Sequence, residues 1–281
     1  MRLVHLSDLH LQLDWHQRSL WRSGWRGAPG RFELHALGRR HQFSDASDRV
    51  RRLVDATLAL EPDQVLVSGD LTALGDDAEL AEARRLLEPL AATGRLVVVP
   101  GNHDRYTDTP AARRFERHFA DQLGSDLPEY ADASGYPFVK LLGERFAVIG
   151  LDSTRVSGWS HYVVGRVGRS QREALERLLD DPRLGGRSLI VVSHHGPCGP
   201  SGRFDWKESG LLDAGRLLSL LHQRPAMLLH GHSHHRYWHR AGEGVPHQFG
   251  GGSSTFGERA AFWHLELDDH HDVEARVLPL R

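Results

Sequence analysis

Nine residues of this chain could do chemistry together, and they fall in five clusters: Asp8 with His10, Asp70, Asn102 with His103, His194 with His195, and His232 with His234. All are oxygen or imidazole donors, and no thiolate stands among them. That donor set suits Mn, Fe, Zn or a similar divalent ion better than it suits a structural zinc site. There are more donors than one ion takes. Two ions about 3.5 to 4 Å apart need a ligand that touches both, and a carboxylate such as Asp70 is the natural bridge. Taken singly, each cluster has a plainer explanation: Asp8 can cap a turn, Asn102 can hold a left-handed position, and His194 or His232 can be rim polarity. Five such clusters in register at strand ends point instead to a shared site.

The register comes from the elements that precede them. Gln64 to Asp70 reads QVLVSGD, a short apolar run stopped by Ser-Gly, which predicts a buried parallel strand delivering Asp70 at its carboxyl end. Leu3 to Ser7, Leu96 to Pro100, Leu189 to Ser193 and Ala226 to Leu229 repeat the pattern before the other clusters. All five clusters are therefore expected along one sheet edge, where ligands bind in open α/β sheets. Helices are predicted from Ser44 to Leu60, Asp76 to Ala92, Ala111 to Leu123, Ser170 to Leu179 and Asp213 to His222, the last capped by Asp213. Phe138 to Leu142 with Arg145 to Leu151, and Ala261 to Leu267 with Val273 to Leu278, read as antiparallel pairs. No linker interrupts the succession, so a single domain over 1–281 is expected.

Composition bounds the partners. A formal charge of −2 gives no global attraction to nucleic acid or to an anionic membrane. Lys140 and Lys207 are the only lysines among 35 basic residues, an arginine excess read first as coding bias and second as phosphate binding. The single Cys198 excludes an internal disulfide framework and a cysteine zinc site, and favours the cytosol. Asp8 and His10 stand where a signal peptide would be apolar, and no run of about 18 apolar residues offers a membrane span. Nothing in the sequence sets the oligomeric state.

The same residues carry a resemblance. Asp8-Leu9-His10, Gly69-Asp70, Gly101-Asn102-His103-Asp104, His194-His195 and Gly231-His232-Ser233-His234 resemble, in order, the five blocks of the calcineurin-like metallophosphoesterase superfamily. They are most similar to its bacterial branch related to cyclic-nucleotide phosphodiesterases. The resemblance implies a four-layer α/β/β/α sandwich of two mixed sheets flanked by helices. It implies one ion held by Asp8, His10, Asp70 and His234, and a second by Asp70, Asn102, His194 and His232. The fourth block reads His194-His195-Gly196-Pro197 where members often read His-His-Pro-Pro. The expected ligand is His194, the first residue after the strand, with His195 the alternative.

The expected reaction is hydrolysis of a phosphate ester, most plausibly a diester, by hydroxide formed from a water that bridges two dications, Mn or Fe first and Zn as an option. His103, beside a ligand but not needed as one, is the candidate general acid, and Asp104 its neighbour in the catalytic set, supporting rather than ligating. Asp152, at another strand end, is a candidate for orienting a ligand. Cys198 has no base beside it and reads as incidental; His161, His247, His270 and His271 read as surface polarity. Alternatives within the fold are a nuclease or a diphosphatase acting on a UDP-diacylglucosamine-type lipid. A non-catalytic metal-binding scaffold is the alternative of another class.

Residues 11–43 have no sustained period and carry Trp15, Trp21, Trp25 and Phe32 among several arginines. They emerge next to the first ligand pair, as an insertion or lid. A self-packed cover, a nucleic-acid contact through aromatic stacking and arginine, and a lipid contact are the three readings.

Overall fold

A computed structural model describes residues 1–13, 45–106, 108, 112–154, 164–204, 210–222, 224–242, 244, 246–268 and 272–281. The expectations for residues 14–44, including Trp21, Arg22, Trp25 and Arg26, lie outside the described residues, as do His161, His270 and His271.

The strands β1 (Arg2–Leu6), β2 (Gln64–Val67) and β3 (Leu96–Val98) are parallel neighbours. Further along the chain, β4 (Phe138–Leu142) and β5 (Phe146–Gly150) form an antiparallel pair, and β6 (Ser188–Val192) and β7 (Ala226–His230) extend it in parallel. Two strands that the sequence did not announce, β8 (Arg236–His239) and β9 (His247–Gly251), complete that second sheet in the order β4-β5-β6-β7-β9-β8. The hairpin β10 (Ala261–Leu267) and β11 (Val273–Pro279) returns to the first, giving β11-β10-β1-β2-β3. Both sheets are mixed, because a parallel core in each carries antiparallel edge strands.

The alternation of side chains along the strands divides the apolar residues into three packed groups. Leu3, Leu66 and Val97 from the first sheet meet Ile190, Val192, Met227 and Leu229 from the second, with Phe138, Phe249 and Trp263 filling the space between. On the far side of the first sheet, Val4, Leu6, Val65 and Val67 pack against Val50, Leu53 and Val54 of α1 (Ala46–Ala59) and Leu80 and Ala83 of α2 (Asp77–Leu86). On the far side of the second, Ile149, Leu189, Val191 and Leu228 pack against α5 (Arg169–Leu179) and α6 (Ala214–Leu221). The layers are therefore α/β/β/α, as expected.

Several boundaries differ from the sequence reading for local reasons. The helix expected over 76–92 stops at Leu86 and resumes as α3 (Glu88–Ala91), because Pro89 cannot continue an interior ladder and is tolerated only in a first turn. The helix expected over 111–123 shrinks to α4 (Arg114–His118), whose preceding residue Arg113 is left-handed at φ 44°. Asp213 precedes α6 without capping it: its carboxylate accepts instead from the amides of Val167 and Gly168, at 3.0 Å each, and from Arg172. The single sheet edge becomes two, since β1, β2 and β3 bring Asp8, Asp70 and Asn102 from one sheet while β6 and β7 bring the histidines from the other. Face-to-face packing brings the carboxyl ends of both to one place. Among the described residues no helix is long and apolar enough to cross a membrane.

Leu66 is fully buried between the sheets, four residues before Asp70. Leu66→Ala should lower stability by about 2 to 5 kcal/mol through lost transfer energy and a residual cavity. Urea unfolding measures this, and a change below about 1 kcal/mol would mean that the inter-sheet core is less tightly packed than described.

Candidate metal centre

Three loops leave the first sheet already fastened to one another. Beyond β1, the amides of Asp8, His10 and Leu11 bond the carbonyls of Gly69, Asp70 and Leu71 at 3.0, 2.9 and 2.9 Å, so the segment after β1 is zipped to the segment after β2. From the second sheet, the amide of His232 lies 3.2 Å from both oxygens of Asp8, and the Gly231 amide bonds the His194 carbonyl at 3.0 Å. The convergence demands unusual backbone. Among the described residues seven non-glycine residues have positive φ, and five of them are Asp8, His10, Asp70, His232 and His234. A left-handed conformation costs a side-chain-bearing residue roughly 1–2 kcal/mol, so the fold accepts strain where donors gather.

The donors form two groups. In the first, the Nε2 atoms of His10 and His234 are 2.9 Å apart, and Asp8 Oδ1 lies 3.3 Å from His234 Nε2 and 3.8 Å from His10 Nε2. In the second, Asn102 Oδ1 lies 3.0 Å from His194 Nε2 and 2.9 Å from His232 Nδ1, and those two nitrogens are 3.3 Å apart. Asp70 Oδ2 stands between the groups, 3.8 Å from His10 Nε2 and 3.3 Å from His194 Nε2. These are the spacings of neighbouring donors around ions whose bonds are about 2.1 Å. The donor set therefore fits a pair of divalent ions.

Other bonds aim the donors. His194 Nδ1 donates to the Ser68 carbonyl at 2.7 Å, which fixes the ring so that Nε2 faces Asp70 and Asn102. The Asn102 side-chain nitrogen donates to the Tyr106 hydroxyl at 3.3 Å, so its oxygen faces the histidines. Asp70 Oδ1 accepts the His103 amide at 2.9 Å, which leaves Oδ2 for the cluster. Burial pushes the Asp70 carboxyl up, but His194 and His103 outweigh it and hold it well below the ordinary range. Burial would lower His194, yet Asp70 holds it up at about 9. A buried carboxylate this strongly ionised is a seat for positive charge.

The remaining expectations divide. His103 turns into the cluster: its Nδ1 donates to the Ala73 carbonyl at 2.9 Å, and its Nε2 lies 4.0 Å from Asp70 Oδ2 and 3.2 Å from the Tyr106 hydroxyl. Asp104 turns the other way. Its oxygens accept from the amides of Gly101, Leu71 and Thr72 at 2.9, 3.2 and 3.0 Å and from the Thr72 hydroxyl at 2.8 Å, so it ties the loop after β3 to the loop after β2. Burial and the neighbouring Asp70 push its carboxyl up to about 6. His195 is also buried at the second group; its Nδ1 meets the Ser153 hydroxyl at 2.9 Å and its Nε2 has no hydrogen-bond partner. Asp152 accepts from Arg105 at 3.2 Å and from the Thr154 amide at 2.8 Å. Burial raises the Cys198 thiol, in keeping with an incidental residue.

Sequence reasoning missed the groups behind the donors. Tyr106 touches both Asn102 and His103, and its spacing of three and four residues from them, one helical turn, was the available signal. Gly101 is also set by the site, since a Cβ there would stand 2.1 Å from Asp70 Oδ1. Ser7, Ser68 and His5 interrupt otherwise apolar strands and reach Asp8 through hydrogen bonds.

Comparison with known proteins gives the family and the fold. The profile of the calcineurin-like phosphoesterase family matches residues 1–236. The chain belongs to that family. A probable cyclic nucleotide phosphodiesterase of Rhodococcus erythropolis is 29% identical over 199 residues, 69% of this chain and 52% of that protein. A glycerophosphodiester phosphodiesterase of Enterobacter lignolyticus is 29% identical over 175 residues, 62% of this chain and 56% of its own. The chain thus spans about half the length of the curated relatives it matches. Among solved structures, a dimetal phosphatase from Danio rerio superposes with a TM-score of 0.63 at 14% identity, covering 100% of this chain and 99% of that one, a likeness of fold.

The placement of Asp104 makes a prediction that separates it from the donors. Asp104→Ala leaves three buried backbone amides without an acceptor, and an unmet buried donor costs about 1–3 kcal/mol. Urea unfolding of the metal-free protein should show a loss of at least about 2 kcal/mol. A neutral effect on stability would return Asp104 to the set of residues with a chemical role.

Proposed function

We propose that this calcineurin-like phosphoesterase is a two-metal hydrolase of phosphodiesters. Asp8, His10, Asp70 and His234 would hold one ion, and Asp70, Asn102, His194 and His232 the other. The observation that carries the reading is the position of Asp70 Oδ2 between the donor groups, 3.8 Å from His10 Nε2 and 3.3 Å from His194 Nε2. Nitrogen and carboxylate donors without thiolate favour Mn or Fe, with Zn accommodated. Bound, such ions supply Lewis acidity toward phosphate oxygens and lower the pKa of water enough for attack near neutral pH.

The chain's own residues do the rest. Asp8 and Asp70 would supply the negative charge that offsets half of that on two dications in a buried site. His103 is held by the Ala73 carbonyl in the tautomer whose Nε2 faces the cluster, so on protonation it can place a proton at the departing alkoxide. Tyr106 limits its ring to that orientation, with centroids 4.4 Å apart and the hydroxyl at 3.2 Å. The two relatives are named for a cyclic nucleotide and a glycerophosphodiester, and the bond common to both names is a phosphodiester. That shared chemistry supports the diester assignment.

Turnover of bis(p-nitrophenyl) phosphate in Mn²⁺ tests the reading directly; two bound ions with no turnover would favour a metal-binding scaffold. Asp70→Asn should lower the occupancy of both ions after dialysis and abolish turnover. Two tightly held ions and a normal rate in that variant would refute the bridge.

His103→Ala should cut kcat by about 10² to 10⁴ while metal content stays near that of the parent. The defect should be smaller with a p-nitrophenyl ester than with an alkyl ester, because p-nitrophenolate leaves with little need of a proton. An equal loss on both substrates would remove the acid role and leave electrostatics alone.

A further inference from the structure

Beneath Asp8 runs a line of polar groups inside the sandwich. His5, Ser7, Asp8 and Ser68 are each fully buried. His5 Nε2 lies 2.8 Å from Ser68 Oγ, Ser68 Oγ lies 2.8 Å from Ser7 Oγ, and Ser7 Oγ lies 2.6 Å from Asp8 Oδ2. Hydrogen counting fixes its direction. An ionised carboxylate only accepts, so the one proton of Ser7 goes to Asp8. Ser7 must then accept from Ser68, whose own proton is thereby used, and Ser68 must accept from His5 Nε2–H. His5 is consequently the neutral Nε2–H tautomer, and this agrees with its Nδ1, which has no hydrogen-bond partner. A bare lone pair is tolerated there more readily than an orphaned N–H would be. Burial, aided by His230 and Arg236, lowers His5 to about 3, which keeps it neutral.

We infer that His5, Ser68 and Ser7 are positioning residues: they form a one-way hydrogen-bond chain that fastens Asp8 Oδ2 and so presents only Oδ1 as a ligand. The inference rests on the two-metal reading and deepens it for one of the two sites. The geometry around Asp8 supports it. Oδ1 faces the Nε2 atoms of His234 and His10 at 3.3 and 3.8 Å, whereas Oδ2 points back to Ser7. Ser7 cannot drift, because its amide bonds Ser254 Oγ at 3.0 Å and its carbonyl accepts the Ser254 amide at 2.9 Å. The space is tight as well: a Cβ on Gly231 would stand 1.9 Å from Ser7 Oγ and 2.4 Å from Asp8 Oδ2. Each donor along the line polarises the next, so the last bond to Asp8 is stronger than an isolated hydroxyl would make it.

The test is Mn²⁺ titration by calorimetry of the full chain, with the parent required to take up two ions. In Ser7→Ala one binding step should weaken by about 10- to 100-fold, the range found when an outer partner of a metal ligand is removed. The other step, built on Asn102, His194 and His232, should stay within about threefold. Asn102→Ala, which weakens that other step, identifies which is which. Ser68→Ala and His5→Phe should weaken the same step less than Ser7→Ala does. Added to Ser7→Ala, they should weaken it no further, since they act only through Ser7. Should Ser7→Ala not fold, Ser68→Ala and His5→Phe alone must show the selective loss. A parent that binds fewer than two ions overturns the two-metal reading and this inference with it. A parent with two ions overturns the inference alone if Ser7→Ala leaves both steps unchanged, weakens both equally, or adds its loss to that of Ser68→Ala.

Discussion

Two carboxylates, Asp8 and Asp70, sit fully out of water at the ends of adjacent parallel strands, and the structure around them exists to keep both ionised. Desolvation alone would protonate each of them. Imidazoles from four loops oppose it, and they can do so only because two sheets end at the same place. The sandwich is thus more than a container. Its inter-sheet packing sets how far the histidines after β6 and β7 stand from the carboxylates after β1 and β2, and a sliding of one sheet by a single residue, about 3.3 Å, would carry the donors out of reach of one another.

Close approach is the second consequence. Loops that bring this many donors together leave no room for a side chain at three of the glycines beside them. Gly101 lies where a Cβ would meet Asp70 itself, Gly231 where it would meet Ser7 and Asp8, and Gly69 where it would meet the backbone of Gly101 at 2.7 Å. Of these three, only Gly69 also needs its freedom of φ, at 96°. The glycines of the motifs are therefore spatial requirements of the donors, and the left-handed donors are the strain that remains after the glycines have done what they can.

Much of this was legible in the chain because the strands that carry the donors are buried on both faces. A short, largely apolar run followed at once by a loop that carries Asp, Asn or His is conspicuous, and β1, β2, β3, β6 and β7 all have that form. Strands without it escaped: β8 reads Arg-Tyr-Trp-His and is half-buried throughout, and β9 ends in two glycines. The helix expected through Phe115 and Phe119 was too long, because both rings are buried without a continuous helix beneath them. Which sheet a strand joins leaves no mark on its own sequence, so five similar strand ends were placed on one edge instead of two.

The division between His103 and Asp104 shows why neighbouring residues in a motif need not share a task. They open a single 3₁₀ turn, Asn102 standing just before it, in which successive side chains point about 120° apart. With Asn102 turned toward the histidines and His103 toward Asp70, the third direction leads down between the loops, where only backbone amides wait. A carboxylate there accepts from three amides and one hydroxyl at once, a role that no neutral side chain fills as well. Asp104 holds the turn that aims its two predecessors, and its own ionisation is opposed by the same Asp70 whose charge the site needs. Stability and chemistry are consequently drawn from one network: the bonds that close the loops also decide which oxygen of Asp70 and of Asp8, and which end of the Asn102 amide, faces the centre.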